Sequence, residues 1–394
     1  MVLVTLRRTC VASRLKLDAL TGIMILGLVT LAYTWGGYPA MLAALARFRN
    51  LRIKKAEISP RLTVIVAARN EEQNIAHRLR NLCELDYPRE CLEIIVASDG
   101  STDGTADIVR EFAPGWVRLL EFHESRGRAA VHNDAVKASH GEILVFTDAA
   151  TRFHSDFLIR LAENFADNRV GCVSGTIAFH NEEASAVTEQ RGLYWRYEHW
   201  LRTMESRCGI LCCASGPCMA VRRELFRPLT QGSYDVDFIT PLDVIESGFL
   251  VLQEAEAKAA DEMFLAPHQE LRAQIRMVAR NLCGYFDRRC LIGSAARPWF
   301  AWSLLSHKVL RWMTPLFLLL VLLSNTVLMI HGRVIVLWLA QLSFYAAALA
   351  GYLLAERKRR PGSLFSAPFA FCLANLGFLL GLIKCLRQER ITVY

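Results

Sequence analysis

The chain has 394 residues, of which 53% are hydrophobic and 21% charged, and 46 basic against 38 acidic side chains give a formal net charge of +8 at pH 7. So apolar a composition excludes a disordered or strongly acidic chain. The length exceeds that of one typical domain core, so more than one structural unit is expected.

The apolar residues are concentrated in four runs without a charged side chain. They cover residues 19–46, 312–331, 334–355 and 364–383. Each run is long enough to cross a hydrocarbon layer of about 30 Å at about 1.5 Å per residue. Buried core helices are the alternative for each run. A cleaved signal peptide is the alternative for the first, but that run exceeds the roughly 7–15 apolar residues of a signal. We therefore predict four transmembrane helices after an N-terminal tail at residues 1–18.

A mixed polar segment, residues 60–295, separates the first apolar run from the other three. We predict that it folds as one soluble domain, because it contains strand-like runs, turn signals and helical stretches. A basic linker at residues 47–59 joins it to the first membrane helix. An interfacial helix at residues 296–311 leads into the second.

Basic residues flank the apolar runs and indicate the orientation of the chain. They concentrate in the 47–59 linker, before the second run, and between the third and fourth runs at Arg357, Lys358, Arg359 and Arg360. Loops rich in Lys and Arg stay in the cytoplasm. This predicts a multi-pass protein of the inner or plasma membrane with a cytoplasmic soluble domain, although the basic N-terminal tail, Arg387 and Arg390 favour the opposite side. No basic stripe with interleaved aromatic residues occurs, so no nucleic-acid partner is expected.

The soluble segment opens with alternating strands and helices. Apolar, β-branched runs predict strands at residues 62–68, 92–98, 117–122 and 143–147, and helices are predicted over residues 71–85 and 128–139. Strands and helices that alternate with short connections predict an α/β, doubly wound, mostly parallel sheet. Ligands of such sheets bind at the carboxyl ends of the strands.

Three acidic residues lie at or just after the ends of three predicted strands, namely Glu71, Asp99 and Asp148. Carboxylates there can accept hydrogen bonds from a nucleobase or ribose, or hold a divalent cation that neutralises a diphosphate. Each could instead be a helix cap or turn residue. The chain lacks the G-x-G-x-x-G and G-x-x-x-x-G-K-[ST] motifs, which argues against dinucleotide dehydrogenases and P-loop enzymes.

The segments VIVAARNEE (64–72), IIVASDGSTDGT (94–105) and GEILVFTDAAT (141–151) resemble, in this order, the nucleotide-sugar-binding half of the inverting glycosyltransferase family 2. The resemblance extends over about residues 60–312. It implies a GT-A fold and a membrane-anchored hexosyl- or N-acetylhexosaminyl-transferase. The implied donor is a UDP-type nucleotide sugar, and the implied acceptor is a lipid or polysaccharide hydroxyl.

The resemblance also implies roles for residues that bind the donor. Glu71 would contact the nucleobase, Asp99 the uridine and Arg128 the diphosphate. Asp148, the first aspartate of the D-x-D motif, would ligate Mg²⁺ or Mn²⁺. The second aspartate of that motif falls on Ala150, whose methyl group cannot ligate a metal, so the dependence on metal is left open.

Asp237 falls on the aspartate of the family's E-D segment, which implies that it is the general base. An inverting transfer needs a carboxylate that takes the proton of the acceptor hydroxyl as this attacks the anomeric carbon. Asp235 is the first alternative base and Asp243 a poorer one.

The helix LRAQIRMVARNL, residues 271–282, is the nearest equivalent of the family's Q-x-x-R-W segment. Arg272, Arg276 and Arg280 recur every four residues and share one face of this helix. Three cations on one face can bind a departing diphosphate or anionic lipid heads, or form a solvated face. We expect Arg276 or Arg280 to serve the diphosphate.

Two aromatic segments, residues 192–202 and 297–312, are candidates for contact with the membrane boundary. They could guide a lipid or a growing glycan to Asp237, or they could be ordinary core helices. Two rival functions are a processive polysaccharide synthase and, because of Ala150, a catalytically weak nucleotide-sugar-binding partner subunit.

Overall fold

A computed structural model of the chain describes residues 2–112, 117–181, 186–229, 235–263, 266–287, 297–357 and 362–387. The strands are β1 Leu62–Ala68, β2 Leu92–Asp99, β3 Val117–Phe122, β4 Ile143–Asp148, β5 Arg152–Phe153, β6 Val170–Phe179, β7 Met219–Arg222 and β8 Leu250–Asp261. The helices of the first 260 residues are α1 Val2–Ala32, α2 Tyr38–Phe48, α3 Glu72–Cys83, α4 Thr105–Phe112, α5 Arg128–Ala138, α6 Phe157–Ala162, α7 Ala186–Cys208 and α8 Val236–Glu246. The later helices are α9 Pro267–Asp287, α10 Pro298–Ser303, α11 Leu310–Trp312, α12 Thr314–Ile330, α13 Ile335–Glu356 and α14 Ser363–Leu386.

The strands form one mixed sheet in the order β3-β2-β1-β4-β7-β6-β8-β5. The four strands predicted from the sequence lie side by side and are parallel. The short strand β7 then pairs antiparallel with both β4 and β6, which makes the second half of the sheet mixed. This confirms a GT-A-type α/β sheet, and we call residues 62–287 the sheet domain.

Register within the parallel half brings the strand ends together. Ala67 of β1 lies opposite Asp148 of β4, and Ala68 lies opposite Ser98, the residue before Asp99. Because β1 lies between β2 and β4, the three predicted acidic positions follow neighbouring strands at the same sheet edge. The expected clustering at the carboxyl ends is therefore present.

The central strands are mostly apolar, as expected for a sheet that is covered on both faces. Ile65 packs in the same buried cluster as Val131 of α5. On the opposite face, Val64 packs with Ile75 and Leu79 of α3. Successive side chains of a strand point to opposite faces of the sheet. Val64 and Ile65 are successive residues, so α3 and α5 cover opposite faces.

Among the described residues, three stretches of helix are long and apolar enough to cross a membrane, namely Leu15–Phe48, Ile335–Glu356 and Ser363–Leu386. A fourth meets these criteria only as the pair Pro298–Trp312 and Thr314–Ile330, which is bent by 56°. A π-helical turn at Tyr33–Gly37 interrupts the first stretch, and another at Leu304–Val309 follows α10. The predicted domain boundary at 295/296 and the basic residues 358–360 and 390 lie outside the described residues.

The last membrane helix packs directly on the sheet domain. A Cβ atom at Gly377 of α14 would lie 2.6 Å from Cβ of Gln274 of α9, and one at Gly381 would lie 2.9 Å from Cβ of Val278. Real Cβ atoms do not approach so closely, so glycine at both positions allows the two helices to touch. The position of α9 therefore depends on α14.

Replacing Gly377 by Val should destabilise the protein by about 1–3 kcal/mol, because the added methyl groups overpack the contact between α9 and α14. Thermal unfolding in detergent would measure this. Gly22→Val is the matched control, since a Cβ atom at Gly22 meets no atom within 4 Å. Equal unfolding midpoints for the two variants would contradict the tight contact.

Candidate functional site

An acidic cluster lies at the sheet edge where β1 and β4 end. Glu71 precedes α3, and its Oε2 accepts a hydrogen bond of 2.9 Å from Nδ2 of Asn74. Burial raises the pKa of the Glu71 carboxyl, and the charges of Asp148, Asp103 and Asp261 raise it further. Glu71 and Asp148 therefore lie close enough to interact, as the sequence predicted.

Asp261 belongs to the same cluster but was not found from the sequence. It ends β8, and its Oδ2 accepts a hydrogen bond of 3.1 Å from Oγ1 of Thr151. Burial raises the pKa of Asp261, and the charge of Asp148 adds to this. The adjacency depends on pairing of β5 with β8, where Arg152 lies opposite Ala260.

Asp99 holds the loop that precedes α5. Its carboxylate is fully buried and accepts hydrogen bonds from the backbone N–H groups of Arg126 and Gly127, at 2.6 and 2.9 Å, and from Oγ of Ser125 at 3.1 Å. Gly127 has φ 85°, a conformation that favours glycine, and it directly precedes the first residue of α5. Asp99 thus positions the start of α5, and its contact with uridine stays a prediction.

Arg128, the first residue of α5, connects the acidic cluster to a cavity. Its guanidinium donates to Oδ1 of Asp148 in an ion pair. The cavity has a volume of about 360 Å³, and we call it the catalytic cavity. Its charged and polar lining includes Arg128, His132, Asp235, Asp237, Arg276 and Arg280. Four of the seven predicted site residues therefore line one space, and Asp148 lies directly beside it.

Asp237 lies in the first turn of α8, half-buried in the wall of the catalytic cavity. Its Oδ2 accepts a hydrogen bond of 3.2 Å from the backbone N–H of Gly216. Burial and the neighbouring charge of Asp235 raise the pKa of Asp237 to about 6. A carboxylate with such a pKa can accept a proton near neutral pH.

Asp235, the alternative base, is engaged by α9. Nη1 of Arg280 donates to its Oδ1 at 3.0 Å. Arg276 lies one helical turn earlier and also lines the cavity, whereas Arg272 is exposed. Burial lowers the pKa of Arg276, and the charge of Arg280 lowers it further. Two closely spaced arginines are suited to bind an anion such as a diphosphate.

His132 also lines the catalytic cavity, and it was not predicted from the sequence. Both of its ring nitrogens are buried, with no hydrogen-bond partner among the described residues. Burial and the charge of Arg128 lower its pKa well below the usual value, so the ring is neutral. A spacing of four residues from Arg128 on α5 was the only sequence signal for this position.

A buried ionic network links the membrane-side helices to the neighbourhood of Asp237. Glu198 of α7 is fully buried and pairs with Arg202, His307, Lys308 and Arg311. Burial would raise the pKa of Glu198, but these cations hold it well below its usual range. Nη1 of Arg202 also donates to Oγ of Ser215 at 2.7 Å, and Ser215 precedes the glycine that donates to Asp237.

Glu198, Cys213 and His307 offer ligand atoms within 4.8 Å of one another, the geometry of a possible metal site. However, the Glu198 carboxylate is already neutralised by several cations, which favours an ion-pair network over a metal site.

Trp312, expected near the membrane boundary, is instead buried and packs against Phe238 with ring centroids 5.5 Å apart. Its amphipathic ring is enclosed because α11 folds back onto α8.

The residues at the sheet edge fit a divalent cation despite the alanine at position 150. Hard cations such as Mg²⁺ and Mn²⁺ prefer oxygen ligands. The carboxylates of Asp148, Glu71 and Asp261 supply them, and their interacting charges would be relieved by a cation. Asp261 thus offers an oxygen donor near the position where the D-x-D motif lacks one.

Comparisons with known proteins agree with this geometry. Residues 63–230 match the family described as Glycosyl transferase family 2. Beta-monoglucosyldiacylglycerol synthase of Trichormus variabilis is 29% identical over 206 residues, which cover 51% of this chain and 43% of that protein. Poly-beta-1,6-N-acetyl-D-glucosamine synthase of Staphylococcus epidermidis is 27% identical over 199 residues, or 50% of this chain and 47% of that protein. The chain thus matches less than half the length of either relative.

A solved structure extends the similarity over the membrane helices. Mannosyltransferase PcManGT from Pyrobaculum calidifontis, in complex with GDP-Man and Mn²⁺, has a TM-score of 0.72 and 22% identity. The similarity covers 93% of this chain and 99% of that chain. At this identity it establishes the fold alone. Motif order, sheet topology and these relatives together lead to one conclusion: the chain has a GT-A fold, and residues 63–230 are similar to glycosyltransferase family 2.

Proposed function

We propose that the chain is a membrane-bound inverting glycosyltransferase that moves a hexosyl or N-acetylhexosaminyl group from a UDP-type donor to a lipid or polysaccharide hydroxyl. The observation that supports this best is the placement of Asp237, with a pKa of about 6, in the same cavity as Arg128, Arg276 and Arg280. A glycosyl transfer needs a group that takes the proton of the acceptor hydroxyl and a site that binds the departing diphosphate. In this cavity a proton acceptor and an anion site lie together.

In this proposal Asp237 takes the proton of the acceptor hydroxyl. The oxygen of that hydroxyl forms a bond to the anomeric carbon while the bond from this carbon to the diphosphate breaks on the opposite face. Arg276 and Arg280 stabilise the departing nucleoside diphosphate. The hydrogen bond from Gly216 and the ion pair between Asp235 and Arg280 orient both groups before the reaction.

In this proposal, residues at the carboxyl edge of the sheet bind the donor. Glu71 and Asp99 serve the nucleobase and uridine, and Arg128 serves the diphosphate. A Mg²⁺ or Mn²⁺ ion, held by Asp148 with Glu71 and Asp261 nearby, would neutralise diphosphate charge when bound. The relatives named above support this donor chemistry, since their names refer to glucosyl and N-acetylglucosamine products.

The membrane helices and the basic flanks support an inner- or plasma-membrane protein with a cytoplasmic active site. A nucleotide sugar made in the cytosol would then reach the site directly. Cysteines 83 and 91 of the sheet domain provide a test. A membrane-impermeant maleimide should leave them unlabelled in intact cells and label them after lysis; labelling in intact cells would overturn this orientation.

A donor panel tests the proposed activity. The purified protein should release the nucleoside diphosphate from one UDP-hexose or UDP-N-acetylhexosamine and yield a glycosylated product identified by mass. A single added sugar would support a transferase, and a ladder of sugars would support a processive synthase like the Staphylococcus relative. Donor binding without turnover would indicate a partner subunit.

Replacing Asp148 by Ala should remove the stimulation of donor binding by Mn²⁺ and leave Arg128 without its carboxylate partner. We expect affinity for the nucleotide sugar in the presence of Mn²⁺ to fall at least about tenfold, as for loss of a charged ligand group. Calorimetric titration with and without EDTA measures this. Asp107→Ala, on the exposed face of α4, is the control; parental Mn²⁺ stimulation in the Asp148 variant would refute the ligand role.

A further inference from the structure

A second cavity adjoins the catalytic cavity on its membrane side. It has a volume of about 250 Å³, and we call it the acceptor chamber. It shares five lining residues with the catalytic cavity, namely Arg191, Trp195, Glu270, Gln274 and Met277. Its other walls come from α7, from α14, from Lys308 and from Trp35 in the π-helical turn of the first membrane stretch. The chamber thus connects the membrane helices to the space that contains Asp237.

One wall of the acceptor chamber is apolar and the other is polar. Helix α14 contributes Ala370, Phe371 and Phe378, which suit an acyl or isoprenoid chain. The opposite wall includes Glu198 and Arg202 of the ionic network. Such a division matches an amphiphile, with its chain toward the bilayer and its head toward the catalytic cavity.

Besides Arg191 and Glu270, which form an ion pair with each other, three residues that line the chamber contain a buried polar atom without a hydrogen-bond partner in the part of the chain that the structure describes. They are Nε1 of Trp35, Oε1 of Gln274 and Oδ1 of Asn375. Buried polar atoms in native proteins nearly always have a partner. One donor and two acceptors beside a cavity therefore indicate a ligand that both accepts and donates hydrogen bonds.

These unsatisfied atoms distinguish between kinds of head group. An ionised phosphate has no proton to donate to the carbonyl oxygens of Gln274 and Asn375, whereas a hydroxyl both donates and accepts. The chamber's cations already have carboxylate partners, since Arg191 pairs with Glu270 at 2.7 Å and Lys308 pairs with Glu198 at 2.8 Å. The chemistry favours an uncharged, hydroxylated head.

The volume of the acceptor chamber favours a lipid head over a glycan as its ligand. Sites for drug-sized ligands usually measure about 300–1,000 Å³, and the acceptor chamber lies below this range. It can enclose one small head group but not a stretch of polysaccharide.

We propose that the acceptor chamber binds the acceptor, a membrane lipid with an uncharged polyhydroxylated head, and presents a head hydroxyl to Asp237. This inference rests on the proposed function and specifies its acceptor. It makes Asn375 and Gln274 binding residues for the head, and Ala370 a position where bulk would exclude it.

Ala370→Phe tests the chamber by filling it, and Ala346→Phe is the matched control on an exposed position of α13. The probe is monoglucosyldiacylglycerol in phosphatidylcholine vesicles, with phosphatidic acid and a soluble oligosaccharide as rival acceptors. We expect the parent and the control to transfer sugar to the glycolipid. Ala370→Phe should lose at least about tenfold of this transfer, while hydrolysis of the donor by water stays within about twofold of the parent.

Binding is measured separately from activity by native mass spectrometry of protein–lipid adducts. Asn375→Leu, which removes the carbonyl oxygen at similar size, should weaken the glycolipid adduct by up to roughly tenfold, the usual range for one uncharged hydrogen bond. This variant keeps the proposal testable if Ala370→Phe fails to fold. Parental adducts and transfer in both variants would overturn the proposal, as would preference for phosphatidic acid or the oligosaccharide. If the parent hydrolyses no donor but the adducts respond as expected, the transferase function fails while the chamber stands.

Discussion

Replacing Asp237 by Asn will abolish sugar transfer and leave binding of the nucleotide sugar near its parental value. The amide keeps the size of the side chain but cannot take a proton, so the loss should reach at least about a hundredfold, the usual contribution of a general base. Initial rates and calorimetric titration with UDP measure the two quantities. Asp235→Asn is the comparison. Because Asp235 is already paired with Arg280, its replacement should reduce turnover less than the replacement of Asp237 does. Unchanged turnover in the Asp237 variant would reject it as the base.

If Asp237 is the base as proposed, it should also determine the pH dependence of the parent enzyme. Asp237 must be ionised to accept a proton, and its pKa is raised to about 6. The rate at saturating donor should therefore rise with pH through about 6, and at pH 5 it should be roughly tenfold below its plateau. A profile that is flat between pH 5 and 7 would contradict this assignment.

The raised pKa also has a cost in stability. The charged form of Asp237 is disfavoured in the folded state, so its penalty is absent below pH 4, develops between the ordinary pKa of 3.8 and about 6, and is complete above. Asp237→Asn should therefore be more stable than the parent by about 3 kcal/mol at pH 7, and by much less at pH 4. A variant that is inactive and more stable would show that the position is retained for chemistry.

Replacing Glu198 by Gln should destabilise the protein by about 3–5 kcal/mol, because it leaves buried cations without their carboxylate. Arg202, Lys308 and Arg311 all pair with this side chain, and each is at least largely buried. Thermal unfolding in detergent is the measurement.

Glu256→Gln provides the comparison, since Glu256 also pairs with a cation, Lys258, but both side chains are exposed. Exposed pairs contribute little, so this variant should keep the parental unfolding midpoint. If both variants unfolded like the parent, the network would not be a source of stability.

The parallel half of the sheet could be predicted from sequence because its signals are local. Strand β1 is a continuous apolar run, and its helix α3 ends within two residues of the expected position. The catalytic cavity is likewise lined by Arg128 and Asp237, to which the family resemblance assigned roles. Arg276 and Arg280, one of which was expected to serve the diphosphate, also line it.

Residues whose role depends on distant contacts could not be predicted in this way. Asp261 meets Thr151 across 110 positions of sequence, through strand pairing that no local pattern encodes. Glu198 meets Lys308 across a similar separation, and the position of the π-helical turn Leu304–Val309 beside α7 decides that contact. His132 is a single histidine on an apolar helix face, and only the cavity beside it distinguishes it from a core residue.

The glycine contacts between α14 and α9 have a mechanical consequence. Helix α9 carries Arg276 and Arg280, so any tilt of α14 displaces the two guanidinium groups relative to Asp237. Membrane helices adjust their tilt to the thickness of the surrounding bilayer. Acyl-chain length in the host membrane would thereby tune the rate of this enzyme through helix tilt, separately from the lipid that we propose binds in the acceptor chamber.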